Sequence, residues 1–271
     1  ALAKSGAEST QAARALAKAT DYLLRQQSAA GRFGDIFDRT MYNQGIATLA
    51  LLKVYAVTGK QELRVPISKA LEYIRSHQSP TGGWGYQGLQ SSEPNTSVTA
   101  WQIQSLLLAD RLGWQADRGS VRKALAWMGR VVNNSGYFSY EKTGTGSAAE
   151  RTTLTMMGAY CVLSAQHSDF PVDPDLRKRI LHGVDQMARQ QPDDYYETFF
   201  YSSALAAAGE NGFGEALSKV KSALLSRQRS NGPANGSWIA DDRWGAAGGS
   251  IYSTSMSLLA LESTQPGPTT L

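Results

Sequence analysis

Five short stretches carry most of the residue types that could do chemistry: DRTMYNQ (38–44), EPNTSVTAW (93–101), ERTTLT (150–155), DDYYETFFY (193–201) and GGSIYSTS (248–255). They supply Tyr, Trp, Phe, Thr and Asn with few charges, among them Glu150, Arg151 and Glu197. A carboxylic acid held among aromatic rings is the kind of group that can deliver a proton, which makes Glu150 and Glu197 the candidate catalytic acids. Small-molecule sites are mostly apolar with a few convergent polar groups, so Tyr42, Asn43, Asn95, Thr99, Trp101, Arg151, Tyr196 and Tyr252 are the expected lining of a ligand cavity. A second reading of the same residues is architectural: Thr and Ser cap helices while the aromatic rings fill the core.

Other chemistries find less support. The single cysteine, Cys161, excludes an intrachain disulfide and a multi-thiolate metal site. The three histidines, His77, His167 and His182, fall on or just after helices without ligand spacing, so neither a metal nor a cofactor is expected. DDRW (241–244) holds adjacent carboxylates, but neighbours on a loop do not dependably face each other across a scissile bond.

The charge balance is 27 Lys+Arg against 23 Asp+Glu, net +4, with LRKR (176–179) the densest basic cluster. Scattered charge of this kind is a solvated mixed surface rather than a nucleic-acid footprint. No apolar run approaches the roughly 18 residues of a membrane span, since Lys53 interrupts the best stretch, IATLALLKVYAV. A soluble protein without a transmembrane segment is expected. A first residue of Ala fits a processed or truncated precursor, and with it export, although the compartment stays open.

What must position these residues is a repeat of about 51 residues. KATDYLLRQQSAAGRFG (18–34) overlies KALEYIRSHQSPTGGWG (69–85) without gaps, pairing Gln27 with Gln78, Gly31 with Gly82 and Phe33 with Trp84. KALAWMGRVV and SGYFSY (123–132 and 135–140) fit the second copy at an offset of 54, placing Gly136 on Gly82 and Phe138 on Trp84. A late copy runs from SALLSRQ (222–228) to NGSW (235–238), and the copy around VDQMARQQPDDYY (184–196) keeps the glutamine but loses the glycines.

Each copy begins with a charged amphipathic helix and ends with a helix almost free of charge; residues 96–109, 152–166, 198–209 and 250–261 contain no Asp, Glu, Lys or Arg. The first kind lies outside and the second is buried on all sides. The expected hairpins are 10–27 with 40–57, 63–78 with 95–112, 118–133 with 148–165, 174–190 with 196–209, and 213–228 with 250–262. Hairpins that cannot bury their second helix alone must share a core. The expected fold is therefore all-α: an α/α toroid of about five hairpins over residues 1–262, with a flexible tail at 263–271. An open solenoid would leave one face of each uncharged helix to solvent. Whether the ring closes within one chain or by dimerising is left open.

Gly31, Gly82, Gly136 and Gly236 mark where the outer helix ends and the chain reverses, because glycine accepts positive φ without steric cost. Gln78, at the end of its helix, is expected to supply donors to the last unpaired carbonyls, with Trp84 packed over the junction.

QSPTGGW (78–84) has the form Gln, three residues, Gly, any residue, Trp. It is similar to the QW repeat of squalene and oxidosqualene cyclases, and the chain as a whole resembles the prenyltransferase and squalene-oxidase repeat superfamily. The resemblance implies an α/α toroid. Class II cyclases of that family protonate an alkene with a D-x-D-D-T-A motif at the start of an inner helix. The matching stretch here is NTSVTA (95–100), in which Thr99 and Ala100 agree while Asn95, Ser97 and Val98 stand where the acids would be. Prenyltransferase β subunits hold zinc through Asp, Cys and His, and here Tyr252 and Ser253 stand where a histidine-bearing helix start would be. Thioester domains need a GCGEQ-like loop, which Cys161 followed by VLSAQ does not form.

The resemblance and the residues together imply a toroid that binds an apolar or mixed small molecule in its central cavity, or a protein partner, without the family's acidic and zinc motifs. One alternative is an isoprenoid cyclase or prenyl-transfer enzyme with substituted catalytic residues, Glu150 or Glu197 serving as acid. Another is a polysaccharide lyase or hydrolase in which Arg151, the tyrosines and a carboxylate act together.

Overall fold

A computed structural model describes residues 10–34, 39–87, 93–114, 118–142, 151–209 and 212–265. Its helices are α1 (Thr10–Gln26), α2 (Thr40–Thr58), α3 (Arg64–Ser76, after a 3-10 turn at Gln61–Leu63), α4 (Thr96–Arg111), α5 (Arg118–Val131), α6 (Arg151–Gln166), α7 (Pro174–Ala188), α8 (Tyr195–Ala208), α9 (Gly214–Arg227) and α10 (Gly245–Ser263). The only bridge among the described residues pairs Val132 with Phe138. The fold is an α/α toroid: α2, α4, α6, α8 and α10 pack side by side in chain order as the inner layer, and each is preceded by its outer helix.

Burial follows the charge pattern. In α4 every residue from Thr96 to Ala109 is buried, whereas α3 buries only Ile67, Ala70, Leu71 and Ile74, one stripe at helical spacing. The helix bounds agree with the expected hairpins to within a few residues. α10 begins early, at Gly245, because its first turn is separated from the rest by a non-helical Gly249 (φ 60°, ψ −164°).

The outer-to-inner joints have one construction. Gly82 (φ 105°) presses so closely on the next outer helix that a Cβ there would collide with the carbonyl of Lys123, and Gly31 meets Lys69 in the same way. Gln78 Nε2 donates to Gly82 O at 2.7 Å and to Ser120 O at 2.9 Å, tying the turn to the first turn of α5. Gln27 repeats this with Gly31 O at 3.4 Å and Pro66 O at 2.9 Å. The glutamine thus bridges forward to the next hairpin rather than capping its own helix. The capping donor is the tryptophan: Trp84 Nε1 donates to Ile74 O and Trp238 Nε1 to Leu224 O, each at 2.8 Å. Inner helices hold the other side of the joint, where Thr99, Thr155 and Thr254 accept from the backbone N–H of Trp84, Phe138 and Trp238.

One expectation is met only in part. Although α10 is as free of charge as the other inner helices, its flank is open: Ile251 is 82% exposed, and Leu258 and Leu259 are half-buried. Its neighbours α8 and α9 cover one side, and the other faces a cavity toward α1 and α2. Ile46 on α2, at 43% exposure, is the counterpart on the far wall. α10 is the last helix among the described residues, and within them it has a repeat neighbour on one side only.

Candidate functional site

The inner helices run in one direction, so their starts gather at one end of the ring and their ends at the other. Between them lies a cavity of about 800 Å³, walled by α1, α2, α4, α6, α8 and α10. Its wall is largely apolar, with Leu16, Leu23, Leu49, Val54, Leu107, Leu108, Phe199, Met256, Leu258 and Leu259 among its residues.

Aromatic side chains close the end at the helix starts. Trp101 stacks on Phe199 (5.8 Å, 15°) and meets Phe200 edge-on (5.3 Å, 72°), while Tyr196 meets Phe200 at 5.1 Å. Trp101 Nε1 donates to Tyr196 Oη at 3.0 Å, and the Tyr42 hydroxyl lies near those of Tyr196 and Ser97. Burial raises the Tyr42 hydroxyl to about 12, and it raises Tyr196 well above the ordinary phenol range. These phenols stay protonated at neutral pH and act as hydrogen-bond donors. Tyr86 and Tyr140 join hydroxyl to hydroxyl beside them, with the Arg39 guanidinium 5.5 Å from the centre of the Tyr86 ring.

Carboxylates form a layer behind this aromatic end, and each is committed to structure. Asp194 caps α8 by accepting from Glu197 N at 2.7 Å and accepts from Arg243 Nε at 2.6 Å. Asp242 accepts from Tyr195 N at 3.0 Å, Trp244 N at 3.0 Å and Tyr252 Oη at 3.1 Å. The DDRW loop is therefore a brace that fastens the starts of α8 and α10. Glu197 is buried, takes a 2.6 Å hydrogen bond from Thr153 Oγ1, and has its pKa raised, first by desolvation and then by the charges of Asp194 and Asp193.

At the opposite end the wall turns ionic, with Lys53, Arg111 and Glu262 near the ends of α2, α4 and α10. Arg111 Nε donates to Ser168 Oγ at 2.8 Å. Among the described residues no group of three or more His, Cys, Asp or Glu is placed to hold a metal ion, and no helix is long and apolar enough to cross a membrane.

Of the residues singled out from the sequence, Trp101, Tyr196 and Tyr252 line the cavity, and Tyr42 stands directly behind Tyr196. Thr99 and Asn95 are fully buried outside the lining: Thr99 holds the Trp84 joint, and Asn95 caps α4 by accepting from Val98 N at 2.9 Å. Asn43 is exposed beside Gly34, and Arg151 is exposed with its guanidinium 5.6 Å from the centre of the Tyr137 ring. Glu197 is outside the lining as well, and Glu150 lies outside the described residues. Sequence reasoning missed Gln104, Leu107, Leu108 and Arg111, which continue the wall from Trp101 down α4. A helical period counted from Trp101 would have found them.

The chain matches the squalene-hopene cyclase C-terminal domain family over residues 1–161. It is 28% identical over 149 residues to a probable squalene–hopene cyclase of Sinorhizobium fredii, a match covering 51% of this chain and 22% of that protein. Against the squalene–hopene cyclase of Zymomonas mobilis it is 26% identical over 127 residues, 44% of this chain and 18% of that protein. The chain thus matches about a fifth of the length of these curated relatives. Among solved structures, a variant of the type II terpene cyclase MstE from Scytonema, in complex with geranylgeranyl dihydroxybenzoate as substrate, superposes with a TM-score of 0.63 at 16% identity, covering 93% of this chain and 76% of that one.

Proposed function

The chain belongs to the squalene-hopene cyclase C-terminal domain family, and from that premise we propose that it is a ligand-binding toroid whose central cavity takes an apolar or mixed small molecule without acid-initiated cyclisation. One observation carries the reading. The cavity of about 800 Å³ is of ligand size, yet Glu262, near the end of α10, is the only carboxylate in its wall among the described residues. Protonating an alkene takes a strong acid facing the substrate in an apolar setting. The groups at the helix starts are instead phenols and an indole N–H, donors too weak for that step and well suited to orienting a polar end. Asn95, Ser97 and Val98, at the start of α4 where the family resemblance would put carboxylates, are an amide, a hydroxyl and an alkyl group. The substrate of the Scytonema cyclase, geranylgeranyl dihydroxybenzoate, supports the choice of an isoprenoid chain with a polar end as probe.

The test is a titration of the purified protein with geranylgeraniol and squalene, read by tryptophan fluorescence, alongside gas chromatography of extracted products. Saturable binding with no product is expected. Filling the cavity with Ala50→Trp should weaken binding at least about tenfold, equivalent to about 1.4 kcal/mol, while leaving the thermal midpoint within a few degrees. Cyclised product above trace levels, or binding indifferent to Ala50→Trp, would refute the proposal.

A further inference from the structure

One charge in the inner layer is out of pattern. Lys53 is the only charged residue in α2, and it stands more than a turn short of the helix end, where a cation would answer the last carbonyls. It belongs instead to the stripe that α2 turns to the cavity: Ile46, Leu49, Ala50, Lys53 and Val54, at helical spacing. α4 turns a matching stripe of Trp101, Gln104, Leu107, Leu108 and Arg111, and it too brings a cation to the end opposite the helix starts. Glu262 on α10 is the one carboxylate in the wall among the described residues, so this end carries two cations against one anion.

The groups around these cations are set to receive a small anion. Arg111 donates to Ser168 Oγ at 2.8 Å and to Ser164 O at 3.2 Å, which fixes the guanidinium and leaves its other N–H donors unclaimed among the described residues. Tyr160, midway down the wall on α6, makes no hydrogen bond through its hydroxyl among the described residues, an uncommon state for a tyrosine in an apolar wall. It is close enough to Arg111 and Glu262 to feel both charges, and desolvation pushes its pKa up to about 12, so it stays a donor at neutral pH. Lys53 is half-buried and Arg111 exposed, so a carboxylate between them is paired without being wholly stripped of water. The aromatic end offers the opposite field: Asp194 and Asp242 stand behind it, and Tyr252 Oη is spent on Asp242. A neutral hydroxyl fits there and an anion does not.

We propose that the cavity takes an apolar chain ending in a carboxylate, the chain along the leucine wall and the head accepting from Arg111, Lys53 and the Tyr160 hydroxyl; this rests on the cavity being a ligand site. One net positive charge matches a monoanion better than a phosphate, whose further charge would meet Glu262 without a cation of its own. Hydrogen bonds to an ionised acceptor are about twice as strong as neutral ones, so an acid should bind more tightly than its own alcohol.

Titration by tryptophan fluorescence, below the concentration at which the probes aggregate, compares geranylgeranoic acid, its methyl ester and geranylgeraniol. The acid should bind at least about tenfold more tightly than the ester or the alcohol. Lys53→Met should bring the ratio of acid to alcohol affinity within about threefold of unity, whereas Lys53→Arg should keep most of it and Tyr160→Phe should lower it several-fold. Palmitic acid against hexadecanol separates an isoprenoid from a straight chain: a preference for the acid in either pair supports the carboxylate, and its absence from both overturns it. Acid and alcohol bound equally, and both lost in Ala50→Trp, would overturn this proposal while leaving the cavity a ligand site. Saturable binding by none of the probes would overturn both, and a preference for the acid that survives Lys53→Met would overturn the role of the cations.

Discussion

Replacing Gln78 by Ala should cost far more stability than the same change at Gln228. Both glutamines end an outer helix and bond to their own turn glycine, but Gln78 makes a second bond to Ser120 O at 2.9 Å across 42 residues of chain. Neither residue is inside its helix, so helix propensity drops out of the comparison. A net contribution of about 1 kcal/mol per bond, with the polar environment of two part-buried carbonyls disturbed, puts Gln78→Ala at about 2–3 kcal/mol. The single exposed bond of Gln228 is worth at most about 1 kcal/mol, much of it recovered by water. For a chain of this size a loss of 2–3 kcal/mol lowers the midpoint by about 4–10 °C. Denaturant titration followed by circular dichroism, at a concentration where the chain is monomeric, measures both, and an unchanged slope would show that only stability moved. Equal losses at the two positions, or a larger loss at Gln228, would refute the view that the glutamine's work is to bind the following hairpin.

Glu197→Gln should raise stability relative to the parent as pH rises. The folded pKa of Glu197 is raised, so the parent's stability from the bound proton is full below the ordinary carboxylate range and lost as pH climbs through the raised value; the amide removes this dependence while still accepting from Thr153. Melting curves from pH 4 to 8 check this, and a difference that is flat or shrinks with pH would contradict it. Gly158→Ala, inside α6, should destabilise by about 1–3 kcal/mol despite a better helix propensity, because a Cβ there runs into the Phe138 ring. A stabilised variant in the same titration would show that the ring moves aside.

The joints were legible from sequence because they rest on backbone conformation: Gly31, Gly82 and Gly136 must take positive φ, and spacing alone locates them. The reach of a side chain was not. Gln78 and Trp84 have exchanged the roles their positions suggest, because the partner of the glutamine lies 42 residues ahead and only packing brings it near. The cavity was half-legible for a similar reason. Trp101, Tyr196 and Tyr252 stood out as aromatic residues near helix starts, but which face of a helix turns inward depends on its rotation, and that put Tyr160 and Arg111 on the wall and Asn95 off it. The exposure of Ile251 could not be read locally either, since its neighbours in sequence match those of a buried helix.

The start of α4 shows how fold and chemistry part within six residues. Thr99 accepts from Trp84 N at 2.9 Å and bonds back to Trp84 O at 3.3 Å, while Ala100, wholly buried, leaves room for Cys161 Sγ to reach its carbonyl at 3.7 Å. Thr155 and Thr254 do what Thr99 does at joints with no claim to chemistry, so the threonine of the stretch serves the architecture of this chain. The preceding half answers to other demands. Asn95 keeps the cap on α4 through one oxygen, while its Nδ2 is buried without a partner among the described residues; a carboxylate would put a second oxygen, equally unpaired and carrying charge, in the same place. A cap, not an acid, is what the joint requires of this residue. Agreement with a cyclase at Thr99 therefore reports the ring, and a claim of cyclase chemistry for this chain has to be argued from groups that face the cavity.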